Sequence, residues 1–151
     1  MQTFLTSFDM VENARNLDYR RLGKQRVEAF QILRANLGLT DGWKHHPATR
    51  SWKGYEPFLL KVYIKAMMDE WARRGYKNIK CTSMFDEAIQ IIGDAVPVMP
   101  PWITGRMITS HKSNLVRKFP EHYSPMFPGI PDDMPYAWDE ITVTRPAGSI
   151  P

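Results

Sequence analysis

Hydrophobic residues recur at helical spacing in several stretches of the chain, and the two longest stretches predict long helices. An amphipathic helix is predicted over residues 18–36, with one apolar face turned to a core. That face consists of Leu22, Ala29, Phe30, Leu33 and Leu37. A second helix is predicted over residues 56–74, because Pro57 suits its first turn and Gly75 follows its end. This stretch is apolar around much of its circumference, which is typical of a central buried helix.

Two shorter helices are predicted further along the chain, over residues 83–92 and 104–118. Ser83 and Asp86 are helix-start signals for the first, and the second is rich in basic residues. The segment GWKHHPATRSWKGYEP has aromatic, proline and glycine residues without a clean period, so we expect a structured loop there. Beyond Pro120 the helical pattern ends, and we expect an extended wrap.

The predicted fold class is mainly α, a compact single-domain helical bundle with an extended C-terminal wrap rich in proline and aromatic residues. Residues 1–136 form the domain in this interpretation. Residues 137–151 are a tail that packs on the domain or frays from it. The candidate strands are residues 3–5 and 141–144.

The composition suits one soluble domain. With 151 residues, of which 43% are hydrophobic, the chain can bury a core of ordinary size. An apolar run of about 18 residues, which a membrane-spanning helix needs, is absent from the sequence. We therefore expect a cytoplasmic protein without membrane association. The single cysteine, Cys81, permits no internal disulfide.

The basic residues are clustered, although the net charge of +4 and the pI near 9.3 are moderate. Lysines and arginines concentrate in residues 15–26, 44–53, 73–80 and 106–118. Several basic patches on one small domain indicate a polyanionic partner, and nucleic acid is the usual one. An ordinary soluble basic surface is the alternative interpretation.

Several classes of chemistry lack their sequence signals. The four histidines show no H-x-x-x-H or H-E-x-x-H spacing, so we expect no metal. A G-x-S-x-G turn is absent, and Cys81 has no activating partner in sequence. A glycine-rich phosphate loop is also absent, which argues against a nucleotide cofactor.

One carboxylate follows the basic start of the predicted helix 18–36. Arg21, Lys24, Gln25 and Glu28 stand at i, i+3, i+4 and i+7 and so share one face. Glu28 is either a surface partner of Lys24, worth a few tenths of a kcal/mol, or an acid that faces a sugar while the cations hold phosphates. Gly23 costs this helix up to about 1 kcal/mol, so either something approaches its backbone closely or the helix begins there.

Aromatic residues alternate with cations in the predicted loop. Trp43, His45, His46, Trp52 and Tyr55 accompany Lys44, Arg50 and Lys53. Aromatic planes beside cations suit stacking on an unpaired base. The same rings could equally pin an irregular loop onto a core.

Four blocks of the sequence, in this order and spacing, resemble the pyrimidine dimer DNA glycosylase family of the endonuclease V type, in its bacterial and phage branch. They are LDYRRLGKQRVEAFQIL, GWKHHPATRSWKGYE, DEWARRGY and SHKSNLVRKFPEHYSPMFPG, and the resemblance spans residues 1–136. It implies a mostly helical protein that binds duplex DNA, flips a base, removes it and then cleaves the strand at the abasic site. It implies no metal and no other cofactor.

The resemblance also implies the reacting groups. The family's nucleophile is the N-terminal amine, which forms a Schiff base with the sugar, and its helix glutamate falls at Glu28. An α-amine has a reference pKa of about 7.7 to 8.0 and is therefore partly unprotonated near neutral pH. Here the amine is that of Met1, or of Gln2 if Met1 is removed. The bulk of Gln2 usually prevents that removal, and a freed Gln2 could cyclise.

The DNA contacts implied by the resemblance and by the aromatic loop form two groups, one before residue 54 and one in the late basic helix. They are Arg20, Arg21, Lys24, Arg26, His45, His46, Arg50, Lys53, Lys112, Asn114, Arg117 and Lys118. Arg20 and Arg21 fall near the lesion, and Lys24 and Arg26 on the phosphate side. We expect a monomer that associates with the nucleoid when it binds double-stranded DNA.

Two alternatives belong to other functional classes. A non-catalytic DNA-binding module would keep the basic surface and bind with strong salt dependence. A metal-assisted nuclease would use Asp41 with His45 and His46.

Overall fold

A computed structural model describes residues 2–137 as a packed array of helices. The helices are α1 (Met10–Asn16), α2 (Tyr19–Asn36), α3 (Pro47–Trp52), α4 (Glu56–Phe58), α5 (Lys65–Arg73), α6 (Ile79–Ile92), α7 (Gly105–Lys118) and α8 (Pro120–Met126), with a π-helical segment, Leu59–Ile64, between α4 and α5. Residues 2–137 contain no strand, and the mainly α prediction is confirmed.

Helix α2 is the longest helix and matches its sequence prediction. Asp18 caps it, since the carboxylate accepts a hydrogen bond from the backbone N–H of Arg21 at 3.4 Å. Its apolar side is buried against α3, α5 and the π-helical segment. The buried residues of this helix are Leu22, Gln25, Ala29, Phe30, Ile32 and Leu33.

The second predicted helix is confirmed, since the chain is helical from the start of α4 to the end of α5. The helix ends before Gly75, whose φ is 95°. Its middle, however, is π-helical, and this was not predicted. The π turn holds one more residue than an α turn, so its side chains leave the 3.6-residue period. It presents Leu59, Leu60, Tyr63 and Ile64 to the interior.

Three sequence predictions about helix positions were wrong. Helix α3 lies within the predicted loop, because His46 caps its N-terminus and Pro47 supplies a suitable first residue. Helix α6 begins at Ile79 rather than at residue 83, next to Asn78, whose side chain donates to the Met68 carbonyl at 2.9 Å. Helix α8 lies within the predicted extended wrap, again with a proline, Pro120, in its first turn.

The N-terminal region also differs from its prediction. Residues 3–5 form no strand, and Asp9 caps the short helix α1, which the hydrophobic pattern had not predicted. The candidate strand 141–144 and residues 138–151 of the predicted tail lie outside the described residues. Within the described part of the chain, no helix has both the length and the apolar character needed to cross a bilayer.

Gly23 lies inside α2, where another side chain approaches its backbone. A Cβ atom built at Gly23 would lie 3.1 Å from Cη2 of Trp71. The Trp71 ring stacks on Tyr76 at 4.2 Å between centroids, and the Arg26 guanidinium lies 4.3 Å from the ring centroid. The structure therefore answers the question raised by this glycine: the group that approaches is an indole of the same chain.

Replacing Gly23 with alanine should destabilise the protein despite the better helix propensity of alanine. Propensity contributes at most about 1 kcal/mol, whereas overpacking against an indole held on two sides costs roughly 1–3 kcal/mol. Denaturant unfolding would measure the change. Gly105→Ala is the control, since a Cβ atom there meets nothing within 4 Å. A Gly23→Ala protein more stable than wild type would contradict the close-packing account.

Candidate active site

The N-terminal segment, residues 2–6, is buried, and side chains rather than a neighbouring strand satisfy its backbone. Each of its backbone N–H groups donates to a side-chain acceptor. The pairs are Gln2 to Glu28 Oε2 (3.2 Å), Thr3 to Gln2 Oε1 (2.9 Å), Phe4 to Gln25 Oε1 (2.8 Å), Leu5 to His111 Nδ1 (2.9 Å) and Thr6 to Asn13 Oδ1 (2.6 Å). The chain therefore runs between α2 and α7 in one defined register.

The Gln25 amide replaces a partner strand on the α2 side of this segment. Its Nε2 donates to the Gln2 carbonyl at 2.7 Å, and its Oε1 accepts from the Phe4 N–H. In an extended chain these two groups point to the same side, so one amide can bridge them. The Tyr63 hydroxyl lies 2.6 Å from Gln25 Oε1 and 3.0 Å from the Phe4 carbonyl oxygen. The π-helical segment thus fixes the orientation of Gln25.

Glu28 lies one turn beyond Gln25 and accepts from the Gln2 backbone N–H. Residues i and i+3 share a helix face, so Gln25 and Glu28 both reach the N-terminal segment. The Glu28 side chain is half-buried. Among the ion pairs of residues 2–137, none includes Glu28. The surface pair with Lys24 is therefore not formed, and the carboxylate faces the start of the chain.

A cleft of about 870 Å³ opens over Glu28. One wall is the first half of α2, the second is the end of α7 with Tyr136, and the third is the start of α3 with its cap His46. Its cations are Arg20, Arg21, Lys24 and Lys118, and its other lining residues are Gln2, Phe4, Asp18, Tyr19, Gln25, Glu28, His46, Pro47, Phe119 and Tyr136. All four residues of the predicted stripe on α2 line this one cleft. A carboxylate beneath several cations suits a phosphate-bearing ligand.

His46 presents an imidazole to the same cleft. Its Nδ1 accepts a hydrogen bond from the Ala48 N–H at 3.1 Å, and this bond caps α3. Because Nδ1 is the acceptor, the neutral imidazole carries its proton on Nε2. Burial lowers the pKa of His46, and the Glu28 carboxylate acts in the opposite direction. The imidazole is therefore neutral at neutral pH.

A comparison with protein families decides which class of protein carries this cleft. The family model described as pyrimidine dimer DNA glycosylase matches residues 1–93. The chain belongs to the pyrimidine dimer DNA glycosylase family. No curated protein and no solved structure matches the chain. Family membership implies a DNA-repair enzyme with a DNA substrate. Residues 1–93 include the N-terminal segment and the whole of α2, hence Glu28 and most of the cleft.

A buried cluster attaches α8 to the α2 wall of the cleft in this glycosylase-family protein, and sequence reasoning missed it. The Asp18 N–H donates to the Tyr123 hydroxyl at 2.9 Å, and that hydroxyl donates in turn to the Asp18 carboxylate. Arg21 lies 3.3 Å from the same carboxylate. Burial opposes ionisation of Asp18, but the bonds from Tyr123 and Arg21 outweigh it, and the net pKa is lowered. The N-cap position of Asp18 was recognisable in the sequence, whereas its partner 105 residues away was not.

His111 was not selected as a site residue from the sequence either. It is fully buried, burial lowers its pKa to about 3, and it remains neutral so that Nδ1 can accept from the Leu5 N–H. In the sequence its position shares one side of the helix with Met107, Ile108 and Leu115.

Several predicted DNA contacts lie away from the cleft. Arg26 donates to Asn78 Oδ1 at 3.0 Å and stacks on Trp71. Asn114 is buried, and its amide donates to the carbonyls of Ser110 and Met134 at 2.8 and 3.0 Å. Arg117 bonds to the Asn114 side chain and to the Asp132 carbonyl.

The remaining predicted contacts stand on other surfaces. Lys112 lies 5.0 Å from the Phe127 ring centroid. His45 and Arg50 are exposed and Lys53 is half-buried, and none of the three lines the cleft. Among the described residues, no three His, Cys, Asp or Glu side chains cluster as metal ligands, and Asp41, His45 and His46 form no such group.

Replacing Asp18 with asparagine should lower the free energy of unfolding at neutral pH by roughly 1.5–3 kcal/mol, the range for a hydrogen bond to a charged group. The folded pKa lies below the unfolded value of about 3.9. The stabilisation is therefore present above that value and is lost as the pH falls below it. The difference from wild type should shrink on acidification when measured by denaturant unfolding.

Asp69→Asn is the matched control, because it breaks an exposed i, i+4 pair with Lys65. We expect a change of less than about 0.5 kcal/mol for it. A difference between Asp18→Asn and wild type that stays constant down to pH 3 would contradict the role of the ionised carboxylate.

Proposed function

We propose that the protein is a base-excision DNA glycosylase with abasic-site lyase activity, which acts on double-stranded DNA through a Schiff base formed by its N-terminal amine. The substrate is a pyrimidine dimer or another damaged base. The observation that carries the proposal is the 3.2 Å hydrogen bond from the Gln2 backbone nitrogen to Glu28 Oε2 at the edge of a cationic cleft. It brings the beginning of the chain to the one carboxylate of the stripe on α2.

Covalent geometry extends this observation to the amine itself. Backbone nitrogens of consecutive residues are at most about 3.7 Å apart, and the nitrogen that bonds Glu28 is that of Gln2. If Met1 is removed, the nitrogen that bonds Glu28 becomes the amine. In the proposed mechanism, either amine reacts beside the same carboxylate.

The proposed reaction has two bond-breaking stages. The amine nitrogen bonds to C1′ of the damaged nucleotide while the bond from C1′ to the base breaks, and the base leaves with the electron pair and takes up a proton. The ring oxygen O4′ then takes up a proton while its bond to C1′ breaks, and the opened sugar is an iminium that acidifies the C2′ hydrogen. Loss of that proton breaks the C3′–O bond and releases the phosphate, and water then frees the amine from the sugar.

Glu28 serves this sequence as the proton carrier. It accepts a proton from the attacking amine, delivers one to the sugar oxygen as the ring opens, and takes the C2′ proton. Its negative charge also stabilises the cationic iminium. Arg20, Arg21, Lys24 and Lys118 line the cleft and would bind the flanking phosphates.

Glu28→Gln should reduce cleavage of a duplex that contains an abasic site by about 10²–10⁴-fold, the usual range for a general acid–base group. Binding of the same duplex should change little, because the cations remain. Single-turnover cleavage and a binding titration measure the two effects. Glu87→Gln removes the same charge from α6, outside the cleft, and should leave both unchanged. Equal cleavage by Glu28→Gln and wild type would refute the assignment.

Borohydride should trap wild-type protein on this duplex, because it reduces the iminium to a stable amine. A short Gly-Ser extension before Met1 should abolish the adduct, and mass spectrometry of the unextended protein identifies the first residue. A chelator should have no effect.

Salt-sensitive binding without any adduct would indicate a DNA-binding module, and chelator-sensitive cleavage would indicate the metal-assisted nuclease.

A further inference from the structure

Trp43 differs from the other aromatic residues around α3. Trp52 is fully buried and donates to Thr3 Oγ1 at 3.0 Å, and Tyr55 is also buried. The Trp43 side chain, in contrast, is 50% exposed. Trp43 lies in a loop in which residues 39–45 are all exposed. An indole in this position contributes little apolar burial to the fold.

The backbone of Trp43 adopts an unfavourable conformation. Its φ is 64°, and it is the only residue other than glycine with a positive φ in the described range 2–137. For a bulky side chain this left-handed conformation is an outlier that costs about 1–3 kcal/mol. Burial does not offset that cost here, because half of the indole remains in solvent. Strain of this kind is concentrated at functional sites.

The position of the indole connects it to the cleft. The Trp43 carbonyl accepts from the His46 N–H at 3.0 Å, which closes a turn, and the two rings meet edge to face at 5.7 Å between centroids. His46 lines the cleft with Glu28. The Trp43 ring is therefore one ring away from the cleft and has an exposed face.

Two other exposed aromatic residues line the cleft itself, but other side chains already hold them. The Tyr19 hydroxyl accepts from Arg20 Nε at 3.2 Å, and the Arg20 guanidinium lies 5.8 Å from its ring centroid. Phe119 stacks on His122 at 5.7 Å. Trp43 differs from these two residues because it combines an exposed ring with a strained backbone.

We propose that Trp43 is a positioning residue that stacks on a DNA base next to the reacting nucleotide and fills the space left when that nucleotide leaves the helix. This inference rests on the proposed function. Every base has an apolar face that an indole can cover, and apolar wedges of this type unstack base steps in other proteins. The cationic cleft beside it would hold the phosphates of the opened strand.

The test compares one abasic site in a duplex and in a single strand of the same sequence. Trp43→Ala should slow duplex cleavage roughly 5- to 150-fold, the factor that corresponds to the stacking of one base. Its cleavage of the single strand should fall less, since no duplex step has to be opened there. Trp43→Phe should recover part of the duplex rate.

Two further measurements separate stacking from folding and from the proposed chemistry. Trp43→Gly should melt at the same temperature as wild type or higher, because glycine removes the φ strain. The duplex should quench the tryptophan fluorescence of wild type more than that of Trp43→Phe, whether or not an adduct forms.

The possible failures are distinguishable. If wild type gives no borohydride adduct on either DNA, the proposed function fails, and the quenching experiment still decides the role of Trp43. Equal quenching of wild type and Trp43→Phe, or a Trp43→Ala protein that cleaves the duplex at the wild-type rate, would overturn the inference. Equal losses on duplex and single strand would overturn it too.

Discussion

The rest of the structure depends on how the backbone of residues 2–6 is satisfied. A buried N–H group without a partner costs about 1–3 kcal/mol, and this extended segment has no strand beside it. Side chains from α1, α2 and α7 take that place, with Gln25 bridging two backbone groups as a partner strand would. Shifting the segment by one residue would break all of these bonds. The register of the chain start is therefore determined by packing.

This register places the beginning of the chain and Glu28 on one side of one cleft. The other side of the cleft comes from the end of α7, and the bond between Asp18 and Tyr123 attaches α8 to the start of α2. The proposed nucleophile would be held by a buried backbone, whereas a long side chain would first have to lose its rotamer freedom. Preorganisation of this kind lowers the entropic part of a reaction barrier.

Clustering of basic residues in the sequence does not by itself identify the cations that line the cleft. Arg74 donates to the Leu17 carbonyl at 2.7 Å and to the buried Glu70 carboxylate, so it holds the end of α1. Arg26 holds α2 to the start of α6, and Arg117 holds the segment at residue 132. Guanidinium groups suit such multidentate tasks. The cleft uses cations from two of the clusters, at the start of α2 and at the end of α7.

The sequence by itself determined the mainly α class and the positions of α2, α7 and the helical stretch from α4 to α5, because periodicity is a local property. It also determined that Arg21, Lys24, Gln25 and Glu28 share one face of α2. It did not determine the π-helical segment, since one extra residue per turn has no local signature in the apolar residues around Tyr63. Only the tertiary structure decided that Glu28 faces the chain start rather than Lys24, and that Trp71 covers Gly23. The partners of the N-terminal segment and of Asp18 lie up to 106 residues away. Such contacts arise only when the helices pack, which no local pattern records.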